Sequence, residues 1–200
     1  MELRGRKFLI GGIAFGGVVL VLGLTFGIVT VTNYNGLQKQ NESVSSNYAQ
    51  VQNLLKERHD KMTALYATLQ AELKEEQAII SAITTARGSY TGENPTSDGA
   101  EITSFNNVVA VVEDNQPNYL SSPGFRTVMD EISEAENKLG VGRKDYNDSV
   151  RTYNTSIVLF PSNMVASMFH LNVPKAYWSV DGSDTSMPIF SLPTSTTSQS

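Results

Sequence analysis

The feature that most constrains this chain is an apolar stretch over residues 8–31, FLIGGIAFGGVVLVLGLTFGIVTV, which contains no charged side chain. A helix rises about 1.5 Å per residue, so this stretch would be about 36 Å long, and the hydrocarbon core of a bilayer is about 30 Å thick. We therefore interpret residues 8–31 as a transmembrane anchor. Residues 1–7 are then a short N-terminal segment, and residues 32–180 form a helical domain.

The charges that flank this stretch predict its orientation. Arg4, Arg6 and Lys7 precede it, whereas residues 32–37 carry no charge. The positive-inside rule then places the N-terminus in the cytoplasm and the helical domain outside the cell membrane, although Lys39 weakens the asymmetry. A cleavable signal peptide is the alternative. Its apolar region is typically about 7–15 residues long and ends in a small-x-small site, which residues 28–32 do not provide.

Four glycines in the stretch are spaced so that they fall near one face of a helix: Gly12, Gly16, Gly23 and Gly27. Such a face lets two helix backbones approach closely, which predicts pairing in the bilayer and a homo-oligomer. The alternative is that these glycines have no special role, because glycine is common in membrane-spanning helices.

Composition excludes several classes of function. The chain has no cysteine, which removes disulfides, thiol catalysis, cysteine-ligated metals and lipid attachment to cysteine. Outside residues 1–31 there are 12 basic and 19 acidic side chains, a formal charge of −7. An acidic domain of this kind is not expected to bind nucleic acid through its general surface.

The first half of the domain is predicted to be helical. Residues 34–87 contain no proline and a single glycine, and their apolar residues recur at steps of three, four or seven. The pattern thins at residues 57–61, ERHDK. Either the helix continues through a polar collar, or it ends there and Asp60 caps the next helix. Glu72 and Glu76 fall at positions expected to be apolar, which indicates a shift of the buried face.

A carboxylate pair at this spacing could also belong to a di-metal bundle. Such bundles use a histidine three residues after a glutamate, and neither histidine of the chain has that spacing. We therefore predict no metal site.

The second half of the domain is predicted to contain three helical pieces. Residues 88–100 have loop composition, and Ser97 or Asp98 would cap a short helix over residues 101–113. Ser122 followed by Pro123 begins a long helix that runs to Phe160. Pro161 ends that helix, and a short amphipathic turn follows within residues 161–169.

The remaining residues are predicted to lack helices. Residues 171–180 should be extended, with Trp178 packed on the end of the bundle. Residues 181–200 are rich in Ser, Thr and Pro, and we expect a disordered tail.

Several short segments of this chain resemble the LemA family. They are YNGL at residues 34–37, LKERHD at 55–60, Leu65, TAR at 85–87, VE at 112–113, ENKL at 136–139, Arg143, YND at 146–148, Val150, YN at 153–154 and FP at 160–161. The resemblance covers about residues 34–178. It implies an all-α protein with a single N-terminal membrane helix followed by an antiparallel four-helix-type bundle of long helices, and it supplies no defined reaction.

The chain departs from the family pattern at two places. Thr63 stands where the family commonly has proline, which puts a helix break near Asp60 in doubt. Residues 113–117 read EDNQP where the family often has Glu-x-Tyr-Pro, so that turn is expected to be rearranged.

Polar residues inside these segments are the candidate functional positions: Arg58, Glu113, Glu136, Arg143 and Asn147. Buried polar side chains can pair across facing helices and fix the register of a bundle. The alternative is that they line a groove that binds a partner peptide or a small ligand.

No nucleophile with an adjacent base, no phosphate-binding glycine loop and no metal-ligand spacing occurs in the sequence, so we predict neither an enzyme nor a cofactor. The leading hypothesis is a non-enzymatic interaction or scaffold module at the bacterial cell envelope, which contacts the lipid bilayer and protein partners of unknown identity. The alternatives are a ligand-sensing or enzymatic bundle that uses Arg58, Glu113 and Arg143, and self-association through the glycine face.

Overall fold

The structure, a computed structural model, describes residues 2–179, without the side chains of residues 2–14 and Thr96. All regular structure in that range is helical, which confirms the all-α class. The α helices are α1 (Glu2–Glu72), α2 (Gln77–Ser89), α3 (Pro95–Asn115), α4 (Pro123–Ser156) and α5 (Ser162–Met168), and a 3-10 helix spans Pro117–Ser121. The tail that we predict to be disordered lies outside the described residues.

Helix α1 is continuous through the polar collar at residues 57–61, so the helix break near Asp60 does not occur. The helix ends instead at Glu72, and residues 73–76 form a turn. The prediction of helix throughout residues 34–87 was therefore wrong at this point. Glu72 and Glu76 interrupt the apolar pattern because the chain turns there and has little to bury.

The described residues divide into two compact units, and the second consists of residues 46–147 and 177–179. Within it, α1 and α4 run antiparallel, because Asn47 Nδ2 donates to the carbonyl of Asp145 and Lys61 Nζ donates to the carbonyl of Glu131. Residue numbers thus rise along one helix as they fall along the other.

Helices α2 and α3 are also antiparallel within this unit. The start of α2 meets the end of α3, where Gln116 Nε2 donates to Glu76 Oε1 at 2.7 Å. The segment after α2 meets the start of α3, where the Thr91 amide donates to Ser97 Oγ at 2.9 Å. Helices α1 and α3 run parallel, because Arg58 meets Asp98 and, farther along both helices, Tyr66 meets Phe105. The four helices therefore alternate in direction, and one apolar core lies among them: Met62, Leu65, Tyr66, Leu69, Ile79, Ile83, Ala86, Phe105, Val108, Val109, Val112, Leu120, Phe125, Met129 and Ile132.

The loop before α3 is shorter than the sequence predicts. Helix α3 begins at Pro95, and Asn94 caps it by accepting a hydrogen bond from the Ser97 amide at 2.9 Å. Asparagine is a favourable cap and proline suits the first helical position, so this pair starts the helix six residues before the predicted Glu101. Ser97 and Asp98, predicted as caps, lie inside the helix.

The predicted start of α4 is confirmed, since Ser122 Oγ accepts a hydrogen bond from the Phe125 amide at 3.3 Å. The helix ends at Ser156 rather than at Phe160. After Pro161 the sequence predicts a short amphipathic turn, and the structure has the helix α5 there.

The first unit consists of Met1–Ser45 with Asp148–Ala176. Tyr153 is a buried residue, and its hydroxyl donates to the carbonyl of Leu171 at 2.6 Å, which holds the segment after α5 against the end of α4. Asn154 binds that segment a second time, because its side-chain amide both donates to the carbonyl of Lys175 and accepts from its amide.

The apolar part of α1 lies in this first unit, and its large side chains between Phe15 and Val31 are exposed. By length and composition it could cross a membrane, and a signal sequence would fit the same description. At Gly16, Gly23 and Gly27 an added Cβ would meet nothing within 4 Å, so that face is open. The surroundings of Gly12 lie outside the described residues.

Candidate functional site

The candidate site is an arginine–carboxylate network inside the second unit, centred on Arg58 of α1. The side chain of Arg58 is 0% exposed. Its Nη1 lies 2.6 Å from Glu136 Oε2, and its Nη2 lies 2.9 Å from both Asp98 Oδ1 and Glu101 Oε2. One guanidinium group therefore joins α1 to α3 and α4.

A second arginine, Arg143 of α4, shares two of these carboxylates. Its Nη1 lies 3.0 Å from Glu136 Oε1, and its Nη2 lies 2.6 Å from Asp98 Oδ1. Glu136 thus bridges the two arginines with its two oxygens. Both arginines contact the same oxygen of Asp98, Oδ1, which leaves Oδ2 to accept a hydrogen bond from a different donor.

Helix geometry explains how these side chains meet. Glu136 and Arg143 are seven residues apart, about two turns, so they lie on the same face of α4. Asp98 and Glu101 are three apart in the first turns of α3, where the positive end of the helix dipole favours carboxylates. The early start of α3 at Pro95 is what brings Asp98 into the helix.

The charges of the network nearly balance. The three carboxylates Asp98, Glu101 and Glu136 face the two guanidinium groups. Burial opposes the charge of Arg58, but the attraction of the three carboxylates outweighs it and raises the pKa of Arg58 above its ordinary value. The stabilisation that this raised pKa represents is present at neutral pH and would be lost as the pH rises through the raised pKa.

His59 stands at the edge of the network. Its Nδ1 lies 2.6 Å from Glu101 Oε1, and its ring stacks on Tyr90 at 3.7 Å between centroids. The Tyr90 hydroxyl in turn donates to Glu93 Oε1 at 2.6 Å. About a quarter of the His59 side chain is exposed, so it separates the buried charges from solvent.

Trp178, from the segment after α5, closes the other side of Asp98. Its Nε1 donates to Asp98 Oδ2 at 3.3 Å, and its ring packs against Tyr48 and Tyr146. The side chain of Asn147 holds its backbone, because Nδ2 donates to the Trp178 carbonyl at 3.1 Å and Oδ1 accepts from the Trp178 amide at 2.8 Å. The predicted packing of Trp178 is confirmed.

A small cavity adjoins the network. Arg58, Asn106 and Glu136 line it together with apolar side chains, and its volume is about 20 Å³. That space holds roughly one water molecule. Asn106 Oδ1 and Arg58 Nε are buried without a hydrogen-bond partner among the described residues.

The five predicted candidate residues have different positions. Arg58, Glu136 and Arg143 lie together in the network, and Asn147 lies beside it and holds Trp178. Glu113 is exposed on α3 and does not join them. Sequence reasoning did not assign Asp98 and Glu101 to the network. One buried and one partly buried arginine require more than one carboxylate, and an acidic pair three residues apart near a helix start was the sequence feature that could have identified them.

Comparison with protein families gives a match between residues 47–190 and the LemA family. The matched range contains every residue of the arginine–carboxylate network, and it confirms the resemblance that the short segments indicate. A comparison with curated proteins gives no match.

We predict that Arg58→Met lowers the free energy of unfolding by about 3–5 kcal/mol, because it leaves buried carboxylates without their partner. Lys56→Met is the matched control. Lys56 pairs with Asp60 on the surface, where both side chains are about 60% exposed, so its loss should cost about 1 kcal/mol or less. Urea denaturation of both variants measures the difference. Equal stabilities would contradict a structural role for the network.

We predict that Asn147→Ala exposes Trp178, because it removes both hydrogen bonds to the Trp178 backbone. Trp178 is the only tryptophan of the chain, so its fluorescence reports directly on this contact. The emission should shift to longer wavelength and become more sensitive to quenching by iodide. Asn137→Ala, at an exposed position of the same helix, should leave the emission unchanged. Unaltered emission in Asn147→Ala would show that Asn147 does not hold the segment.

Proposed function

The chain belongs to the LemA family, and from this premise we propose that it is a membrane-anchored helical bundle that acts as a non-enzymatic interaction module at the cell envelope. In this proposal residues 8–31 remain in the bilayer as a single span. The N-terminus is cytoplasmic, and the helical domain lies on the outer side and binds another protein.

The continuity of α1 carries the anchoring part of the proposal. The helix passes from the apolar stretch into the domain without interruption, from Glu2 to Glu72. Signal peptidase needs an accessible small-x-small site, whereas residues 28–34 lie within a helix. Asn33 accepts a hydrogen bond from the Ser162 hydroxyl, and Tyr34 packs on Phe169, so the end of the stretch is attached to the rest of its unit. These contacts favour an anchor over a cleaved leader.

The closed state of the arginine–carboxylate network supports a role without catalysis. Its central arginine is inaccessible, and both guanidinium groups are paired with carboxylates of the same chain. The ligand-sensing alternative requires a cavity beside these arginines that is large enough for a ligand. The adjoining cavity of about 20 Å³ has room for about one water, so it is too small for that role. We therefore assign the network a role in fixing helix register, and we place partner binding on the exterior of the domain.

Self-association is a further part of this proposal. The open glycine face of α1 permits close approach of a second helix in the bilayer. The acidic composition of the domain argues against nucleic acid as a partner.

We predict that the full chain stays in the membrane pellet after extraction with alkaline carbonate. A phosphatase reporter fused after Ser200 should be active, because it would lie outside the membrane. Leu20→Arg combined with Leu24→Arg should reduce retention, since charges at the centre of a span cost about 2.5–3.5 kcal/mol each. Val141→Arg, at an exposed apolar position of α4, is the control and should change nothing. Release of the unaltered chain by carbonate would overturn the anchor.

We predict that cross-linking in intact cells, followed by purification of the tagged chain, recovers defined protein partners. The same treatment of the Arg58→Met variant tests whether the folded bundle is needed, and we expect it to recover less of each partner. Recovery of the chain cross-linked only to itself would contradict the interaction module and would favour self-association as the function.

A further inference from the structure

The turn after α4 and helix α5, residues 157–169, form an apolar surface in the first unit. Its exposed large side chains are Val158, Leu159, Phe160, Met164, Met168 and Phe169, and Phe160 is 78% exposed. The sequence carries no charged residue between Arg151 and His170. A contiguous exposed apolar surface of this kind marks an interaction site rather than an ordinary water-facing surface.

This surface lies beside the last third of the apolar stretch of α1. A groove of about 640 Å³ has one wall made of α1 residues between Leu22 and Thr30, and the other wall is made of residues from Phe160 to Met168. The stretch ends at Val31, so at 1.5 Å per residue Leu22 lies about 14 Å from its end. If α1 crosses the bilayer, the groove therefore lies at the depth of the hydrocarbon.

Polar contacts mark the outer limit of this apolar region. Ser162 Oγ donates to Asn33 Oδ1 at 2.7 Å, and Asn33 Nδ2 donates to the carbonyl of Val29 at 2.8 Å. The ring of Tyr34 packs on Phe169, with centroids 4.7 Å apart. Tyrosine is enriched at membrane–water interfaces. The polar groups thus begin on both elements at the level where α1 would leave the bilayer.

Resting on the proposed anchoring of α1, we propose that residues 157–169 insert into the membrane leaflet at the C-terminal end of the span, and that lipid acyl chains occupy the groove between these residues and α1. The chain then has two membrane contacts, a spanning helix and a short helix that enters one leaflet. The inward residues Ile157, Val165 and Ala166 are buried within the unit, while Phe160 and Met164 face the lipid.

Acyl chains are the occupant that the geometry favours over a second copy of the chain. At about 100° per residue, the face of α1 that carries Leu22, Phe26 and Val29 lies roughly a third of a turn away from the glycine face. Helix pairing through the glycines would therefore leave the groove open. At the depth of Leu22 in the bilayer the groove would be surrounded by hydrocarbon. Its lining carries no charged side chain, so acyl chains can fill it without burying a charge.

The absence of cysteine from the chain permits a direct measurement of depth. Phe160→Cys and Met164→Cys, each in the full chain and carrying a nitroxide spin label, are reconstituted in phosphatidylcholine vesicles. Leu24→Cys reports on the span, and Val141→Cys reports on an exposed apolar position outside it. Circular dichroism checks that each labelled chain retains its helices.

We expect the labels at Phe160 and Met164 to be more accessible to dissolved oxygen than to a water-soluble nickel complex, as at Leu24, with the opposite preference at Val141. Water-like accessibility at both positions, with Leu24 in lipid, would overturn the insertion and leave the anchor intact. Water-like accessibility at Leu24 would overturn the anchor itself. Spin–spin broadening at Met164 that disappears on dilution with unlabelled chain would show that a second copy fills the groove, and would also overturn the proposal.

Discussion

The second unit of this chain depends on a single buried guanidinium group. Arg58 is 0% exposed and binds carboxylates from two other helices at distances of 2.6 to 2.9 Å. Hydrophobic contacts tolerate small shifts along a helix, whereas three charged pairs at such distances do not. We therefore propose that the network selects one register of α1, α3 and α4 from the several that an apolar seam alone would permit.

The second structural constraint is helix α1, which contains both the apolar stretch and the central arginine of the network. The same helix that carries Arg58 and His59 also carries the apolar stretch, and it is continuous between them. The side chains of α1 change in character along the helix: the large ones between Phe15 and Val31 are apolar and exposed, whereas those after Leu37 alternate between buried and exposed.

Sequence patterns predicted the parts of this fold that depend on local chemistry. The apolar period of α1 and the cap at Ser122 follow from neighbouring residues, and the family resemblance supplied the bundle. The partners of Arg58 are 40 to 78 residues distant, and which carboxylates it meets depends on where α3 begins. Glu113 was a reasonable candidate by residue type, but the broad apolar face of α3 did not reveal which of its sides is exposed.

The central claim is that Arg58 and Glu136 act together as one element that fixes the register of the bundle. A double-mutant cycle with Arg58→Met and Glu136→Gln tests it most directly through the free energies of unfolding. The account predicts that Glu136→Gln lowers the free energy of unfolding much less in the Arg58→Met background than in the unaltered chain. The expected coupling energy is about 1–3 kcal/mol. Additive effects, within about 0.5 kcal/mol, would contradict it.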